Sequence, residues 1–108
     1  MKSTTKLTPF QIQKMYEYIK KYSDEKSENK KVSLLFNPRT PKDIYVSYLS
    51  YDLLDDNSVS SQVELICIKE DGSVVDFANK FDNLNQRLEF ESQLLEVDLD
   101  ANAKIVIL

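Results

Sequence analysis

The sequence contains no histidine, a single cysteine and a single glycine. The absence of histidine excludes Ser-His-Asp and Cys-His catalysis as well as imidazole ligation of metals. One cysteine can form neither a thiolate zinc site nor an internal disulfide. One glycine is too few for the loops that cradle phosphates and dinucleotides. Acid–base catalysis by two carboxylates stays open to a chain with eighteen Asp and Glu, but a pair such as Asp55-Asp56 is typical of a solvated turn. The sequence therefore predicts a protein that is not an enzyme and that binds no cofactor and no metal.

Long apolar runs are also absent. No stretch approaches the ~20 apolar residues of a membrane span, and the first residues, MKSTTKLTPF, lack the apolar core of a signal peptide. Cys67 lies in the apolar run LICIK, which favours a buried, reduced thiol. With 108 residues, 42% apolar and 30% charged, we expect one soluble, cytoplasmic domain over residues 1–108 without membrane contact.

Charge is unevenly distributed along the chain. Residues 1–42 hold ten Lys and Arg against four Asp and Glu, whereas residues 43–108 hold four against fourteen. The balances are +6 and −10, which give the net charge of −4. This asymmetry suggests an interaction surface of one sign. The alternative is that folding interleaves the two segments and mixes the charges on the surface.

The stretch from Val63 to Phe77, VELICIKEDGSVVDF, carries the clearest strand signal. Asp71-Gly72 between two apolar runs predicts a β-hairpin with a two-residue type I′ turn. That turn would place Ile68 opposite Val75 and Ile66 opposite Phe77. The other face would then carry four residues: Leu65, Cys67, Val74 and Ala78. Because both faces are apolar, we expect this hairpin at the centre of a sheet.

An N-terminal helix is predicted from Pro9 to about Tyr22. Thr8 is a good N-cap, Pro9 suits the first helical position and Gln11 completes a capping box. Leu7 and Ile12 occupy the positions of a hydrophobic staple. The apolar stripe at helical spacing comprises Ile12, Met15, Ile19 and Tyr22, widened by Phe10, Tyr16 and Tyr18. This pattern favours a helix that covers a sheet.

Further strands are predicted over residues 32–36 and 44–54, and over 103–108 at the C-terminus. Residues 83–99 are ambiguous, because their apolar spacing fits either a helix over about 83–95 or two short strands. The predicted fold is therefore α+β. It consists of an N-terminal helix packed on an antiparallel sheet of four to five strands, with a possible second helix near residues 83–95.

One stretch favours protein–protein recognition. A row of tyrosines from Tyr45 to Tyr51 runs into a cluster of carboxylates. Tyrosine offers apolar area with a polar tip, and carboxylates complement a basic surface. The candidate partner-binding residues are Tyr48, Tyr51, Asp52, Asp55 and Asp56. A structural alternative is that these tyrosines cap the edge of the core.

Two other uses of this stretch fit poorly. Calcium binding by Asp52, Asp55, Asp56 and Asn57 lacks the glycine and the terminal glutamate of the known loop pattern. Direct nucleic-acid binding could use basic residues such as Lys30, Lys31 and Arg39, but the acidic remainder of the chain would repel a phosphate backbone.

In size and charge the chain resembles the small acidic inhibitors that act on large basic enzymes, namely immunity proteins against toxins and phage-encoded antagonists of nucleases such as CRISPR effectors. That resemblance, which includes no alignable motif, implies a cytoplasmic inhibitor that occludes the nucleic-acid-binding surface of a basic protein partner. An alternative from another class is a phage or plasmid structural accessory protein that self-associates head to tail through its oppositely charged segments. The oligomeric state is open at this point.

Overall fold

A computed structural model describes residues 3–77 and 80–108, and it contains two helices and seven strands in that part of the chain. The strands are β1 Ser3–Lys6, β2 Asn29–Phe36, β3 Ile44–Leu53, β4 Val59–Ile68, β5 Val74–Asp76, β6 Leu95–Leu99 and β7 Lys104–Ile107. The helices are α1 Pro9–Ser23 and α2 Leu84–Glu91. Neither helix is long and apolar enough to span a membrane.

All seven strands belong to one antiparallel sheet with the order β1-β7-β6-β2-β3-β4-β5. The α+β class is confirmed, but the expected four to five strands was too low a count. Two of the additional strands are β1 and β6. Both are short, at four and five residues. Strand β1 gives little alternation from which to recognise it, whereas β6 lies in residues 83–99, where a strand was one of the two alternatives.

Helix α1 packs across one face of the sheet and begins where its capping residues predict. The Thr8 hydroxyl accepts the N–H of Gln11, and the Gln11 side chain accepts the N–H of Thr8. The buried Gln11 amide also donates to the carbonyls of Lys42 and Ile68, which fixes the start of the helix to the sheet. The predicted stripe packs in the core beneath α1, but Phe10 and Tyr16, expected to widen it, are exposed.

A second, smaller core lies on the opposite face of the sheet. Tyr45, Leu65 and Cys67 are buried there beneath α2 and the segments that flank it. The ring of Phe90 on α2 stacks on Phe77 at 5.5 Å and meets Tyr45 edge-on at 5.9 Å. Residues 83–99, for which the sequence allowed either a helix or strands, contain one of each: α2 covers 84–91 and β6 covers 95–99.

The 63–77 hairpin exists, but its expected register was wrong. Cys67 pairs with Val75 and Ile68 with Val74, and the N–H of Lys69 donates to the carbonyl of Ser73. The loop therefore has three residues, 70–72, instead of two. A shift of one residue moves every following side chain to the other face, so Val75 and Phe77 lie with Cys67. Ala78 is outside the described residues.

This hairpin is also not central, because β5 forms one edge of the sheet. The same turn closes two further hairpins, at residues 54–58 and 100–104. In each, the first residue donates its N–H to the carbonyl of the fifth and accepts the N–H of the fourth. The fourth residue has a positive φ in all three turns: Asn57, Gly72 and Ala103. This is a type I turn followed by a bulge.

Candidate functional site

The candidate site lies on the part of β3 and β4 that neither helix covers. Strand β3 has ten residues and is about 33 Å long, whereas α2 has eight and is about 12 Å long. Helix α2 and the segments that flank it therefore cover β3 around Tyr45 and leave the C-terminal end of β3 uncovered. Beyond Tyr51, which pairs with Asn29 at the start of β2, the sheet narrows to the two strands β3 and β4. We call residues 49–63 the β3–β4 ribbon.

One face of the ribbon is apolar and exposed. Side chains on a strand alternate between the two faces, so the residues that follow Tyr45 at even intervals continue the α2 face of the sheet. Leu49 pairs with Val63 and Leu53 pairs with Val59 across the two strands. We call these residues and Tyr51 the apolar strip; their exposed fractions are Leu49 44%, Tyr51 51%, Leu53 71%, Val59 61% and Val63 41%. Contiguous exposed apolar residues of this kind mark interaction surfaces.

Two carboxylates cap the ribbon at its turn. Asp55 and Asp56 occupy the second and third positions of the 54–58 turn, and no lysine or arginine in the described part of the chain lies within ion-pair distance of either. Asp56 accepts hydrogen bonds from the hydroxyl and the N–H of Ser58, which lower the pKa of its carboxyl. The tip of the ribbon is therefore anionic at neutral pH.

Along its β2 side, the apolar strip is bordered by acidic, basic and polar residues. Lys31 on β2 pairs with Leu49 on β3, and a shallow groove beside Leu49 and Tyr51 is lined by residues 28–31. The ammonium group of Lys30 is bound to the carbonyls of Ser23 and Glu25. Because Lys30 is held by these carbonyls, the exposed Lys31 is the residue that supplies a positive charge on this side of the strip, opposite in sign to the carboxylates of the tip.

The structure does not bring all five candidate partner-binding residues to one surface. Tyr48 points to the α1 face, where it is 1% exposed and its ring stacks on Tyr22 at 4.7 Å. Its predicted role in partner binding does not fit this position, because side chains of β3 alternate between the two faces and Tyr48 lies on the face that packs beneath α1. For Tyr48 the structural alternative, a tyrosine in the core, applies.

Asp52 is engaged within the chain. Its carboxylate accepts the hydroxyl of Ser27 at 3.0 Å and the N–H of Glu28 at 3.2 Å, which holds the 24–28 loop against β3. Tyr51, Asp55 and Asp56 are left on the ribbon as an exposed ring and two carboxylates without an ion-pair partner among the described residues. We retain these three as candidate contacts.

Four residues of the apolar strip were missed as site residues: Leu49, Leu53, Val59 and Val63. Strand alternation places Leu49 and Leu53 on the same face as Tyr51, but apolar residues on a strand are ordinarily assigned to the core. Only the length of the covering helix shows that this face stays open, and α2 was itself ambiguous in sequence. The signal was therefore present, but its meaning depended on the packing.

The polar residues around Cys67 do not form a reactive centre. Lys69 forms an ion pair with Asp43 at 2.9 Å at the end of the strand. Burial, and after it the negative charge of Asp43, raises the pKa of the Cys67 thiol to about 11. A nucleophilic cysteine needs the opposite shift, so this thiol is structural. Within residues 3–77 and 80–108, no group of three or more Cys, Asp and Glu side chains is placed to hold a metal ion.

Comparison of the chain with protein-family models, with curated proteins and with solved structures returns no match in any of the three. The residues of the ribbon are therefore the basis of the proposed function.

Proposed function

We propose that this protein is a non-enzymatic, protein-binding inhibitor that uses the β3–β4 ribbon to cover a basic, nucleic-acid-binding surface of a partner enzyme. The partner would be a basic protein such as a nuclease. The chain would act by occlusion, because the ribbon fills space that nucleic acid would otherwise occupy.

The apolar strip is the observation that supports this proposal most strongly. Its five side chains project from a ribbon whose end consists of only two strands. A partner can therefore approach that end from several directions. Burial of exposed apolar area contributes about 25 cal/mol per Å². Tyr51, an exposed aromatic residue within the strip, has the character of an interface anchor.

The carboxylates of the tip support a basic partner. Asp55 and Asp56 present two negative charges without a compensating cation in the described residues, next to an apolar surface. Complementary charge accelerates and orients association more than it adds affinity. A pair of carboxylates that reaches a phosphate-binding groove would also compete directly with the phosphates of a nucleic acid.

The proposal is tested by affinity capture with matched variants. Wild-type protein is immobilised beside a ribbon variant, Leu53→Ser with Val59→Ser, and lysate of the source cells is passed over both. Because the two residues face each other across the strands and are exposed, the variant should fold yet lose the apolar contact. We expect a basic protein that the wild type retains and the ribbon variant releases.

The control removes two exposed leucines away from the ribbon, Leu88→Ser on α2 with Leu108→Ser at the C-terminus. It should capture the same protein as the wild type. The captured protein should bind nucleic acid, and added wild-type chain should inhibit that binding. Equal capture by all three chains, or a partner whose nucleic-acid binding is unaffected, would contradict the proposed function.

The alternative function, head-to-tail assembly of an accessory protein, draws its support from the opposed charges of residues 1–42 and 43–108. Folding joins the two segments within one chain, since Lys42 approaches Glu70 at 3.8 Å and Lys31 lies beside β3. No specific contact surface of the described residues favours head-to-tail assembly, so we retain the inhibitor as the proposed function.

A further inference from the structure

Strand β4 has an open edge over most of its length. On the side away from β3, its only partner in the described part of the chain is β5, which pairs with Ile66, Cys67 and Ile68; the N–H of Phe77 adds a bond to the carbonyl of Leu65. Residues 59–63 are exposed along their whole length. An open edge is a template for pairing with another strand.

The hydrogen-bond pattern shows which groups this edge presents. In an antiparallel pair, the N–H and C=O of one residue point to the same side, and successive residues alternate. The carbonyl of Ser58 accepts from Leu54 on the β3 side, whereas the carbonyl of Leu65 accepts from Phe77 on the β5 side. Odd-numbered residues of β4 therefore direct their backbone groups outward. On the open stretch these residues are Val59, Ser61 and Val63.

We propose that this edge pairs with the same edge of a second copy of the chain, in antiparallel register centred on Ser61. In that register Ser61 faces Ser61 of the other copy and Val59 faces Val63 of the other copy. Every outward N–H and C=O of the open stretch then meets a partner. The Ser61 centre follows from the geometry, because the stretch is limited by the turn at Ser58 on one side and by Leu65 on the other.

Charge supports a second copy as the occupant. The open stretch reads Val-Ser-Ser-Gln-Val and contains no charged residue, in a chain of which 30% is charged. Lysines and other charges are the usual protection of an exposed edge against self-pairing. The nearest carboxylate on the strand, Glu64, would lie opposite Ser58 of the other copy. No like charges would face each other across the contact.

The register also joins the two apolar strips. Residues directly opposite each other in an antiparallel pair point to the same face of the sheet. A pairing with odd residues opposite odd residues therefore places both strips on one face of a continuous sheet. A shift by one residue would place the strip of one copy beside the polar residues on the opposite face of the other copy's ribbon, such as Ser60 and Gln62. The dimer would thus double the apolar surface, and it does not depend on the inhibitor function.

The test uses the purified chain alone, so that its outcome is separate from partner capture. Sedimentation equilibrium at up to about 1 mM protein detects a dissociation constant of about 0.1 mM. We expect a monomer–dimer equilibrium. Ser61→Glu would place two carboxylates directly opposite each other and should raise the dissociation constant by about tenfold or more. Gln62→Glu, one residue away and facing Ser60 of the other copy, pairs with the uncharged Ser50 in its own chain; it is the matched control and should change the dissociation constant less.

A second measurement fixes the register without altering charge. Ser61→Cys should oxidise to a covalent dimer faster than Ser60→Cys, because facing residues have Cα atoms about 5.5 Å apart. The native Cys67 is buried and contributes little background. A chain that stays monomeric throughout the concentration range would overturn the proposal and leave the edge to a strand of another protein. A dimer that Ser61→Glu and Gln62→Glu affect equally would overturn it as well.

Discussion

Three residues hold the left-handed backbone conformation that closes the three hairpin turns, and they differ in how well they suit it. Gly72 has a φ of 84°, Asn57 of 67° and Ala103 of 60°. Glycine adopts this conformation freely and asparagine tolerates it, whereas other L residues lose about 1–2 kcal/mol. Two of the turns should therefore respond to substitution in opposite directions.

We expect Gly72→Val to destabilise the protein by on the order of 1 kcal/mol or more, since a β-branched residue is poor at positive φ. Its Cβ would also lie 3.2 Å from the Cβ of Phe10. Ala103→Gly should instead raise the free energy of unfolding by roughly 0.5–1 kcal/mol, because strain is relieved at the cost of some chain entropy.

Urea unfolding of each variant measures both effects. Gly72→Asn is the matched control for the first, because it adds the same Cβ but tolerates the conformation, and it should cost less than valine. Ala101→Gly, at an ordinary φ in the same turn as Ala103, controls the second and should not stabilise. An unchanged midpoint for Gly72→Val, or a loss of stability with Ala103→Gly, would contradict the turn geometry.

Residue patterns predicted local features, such as the start of a helix, better than they predicted which face of a strand is buried. Thr8, Gln11 and Pro9 identified the start of α1 because a helix cap needs only neighbouring residues. Tyr48 and Tyr51 look alike in sequence, yet one stacks on Tyr22 and the other is exposed. Alternation separates the two faces of a strand, but the sequence alone does not say which face the rest of the chain will cover.

Each of the three hairpin turns contains an aspartate whose carboxylate accepts backbone N–H groups of the same turn. Asp71 accepts the N–H of Ser73, Asp56 accepts that of Ser58, and Asp100 accepts the N–H groups of Asn102 and Lys104. The pKa of each carboxyl lies below its ordinary value of 3.8. For Asp56 and Asp71 the largest cause is the hydrogen bond from the serine hydroxyl, followed by the bond from the serine N–H; for Asp100 the largest causes are the two backbone N–H groups. All three turns should therefore be weakened together in acid.

The sign of the effect follows from proton binding. A carboxyl whose pKa is lower in the folded state stabilises the fold above its unfolded pKa, and that stabilisation is lost as the pH falls through the folded pKa. We expect the free energy of unfolding to fall below about pH 4. A triple variant, with asparagine at the three positions, should lose less stability over the same range. Identical pH profiles would show that these bonds do not stabilise the turns.

The same turns explain why the hairpin register could not be predicted from sequence. Asp71-Gly72 suits a two-residue loop with two positive φ angles, and it equally suits a three-residue loop in which only the last residue has one. The structure has the second, and Asp71 is not at positive φ. The choice depends on which face of β5 packs against Cys67 and Phe90, which is a tertiary contact.

The whole molecule is elongated, with extents of 47 × 29 × 27 Å. The helices cover the centre of the sheet, and the ribbon extends beyond them with an apolar strip on one face and carboxylates at its tip. Neither composition nor charge balance could predict this shape, because it follows from a ten-residue strand beside an eight-residue helix. We propose that this ribbon is the surface through which the protein binds its partner.

Partner binding through the ribbon is tested by the association kinetics of the partner captured by the wild type, measured at two salt concentrations. Asp55→Asn with Asp56→Asn should slow association and weaken its salt dependence, because exposed charges steer encounter and are screened within about 10 Å at 0.1 M salt. Tyr51→Ala should instead accelerate dissociation, as expected for an anchor.

The control Glu89→Gln with Glu96→Gln removes the same charge from α2 and β6, away from the ribbon, and should leave the association rate closer to that of the wild type. We expect that only the tip variant loses most of the salt dependence and that only Tyr51→Ala shortens the lifetime of the complex. Association rates that are equal and independent of salt for all four chains, with an unchanged dissociation rate for Tyr51→Ala, would contradict partner binding through the ribbon.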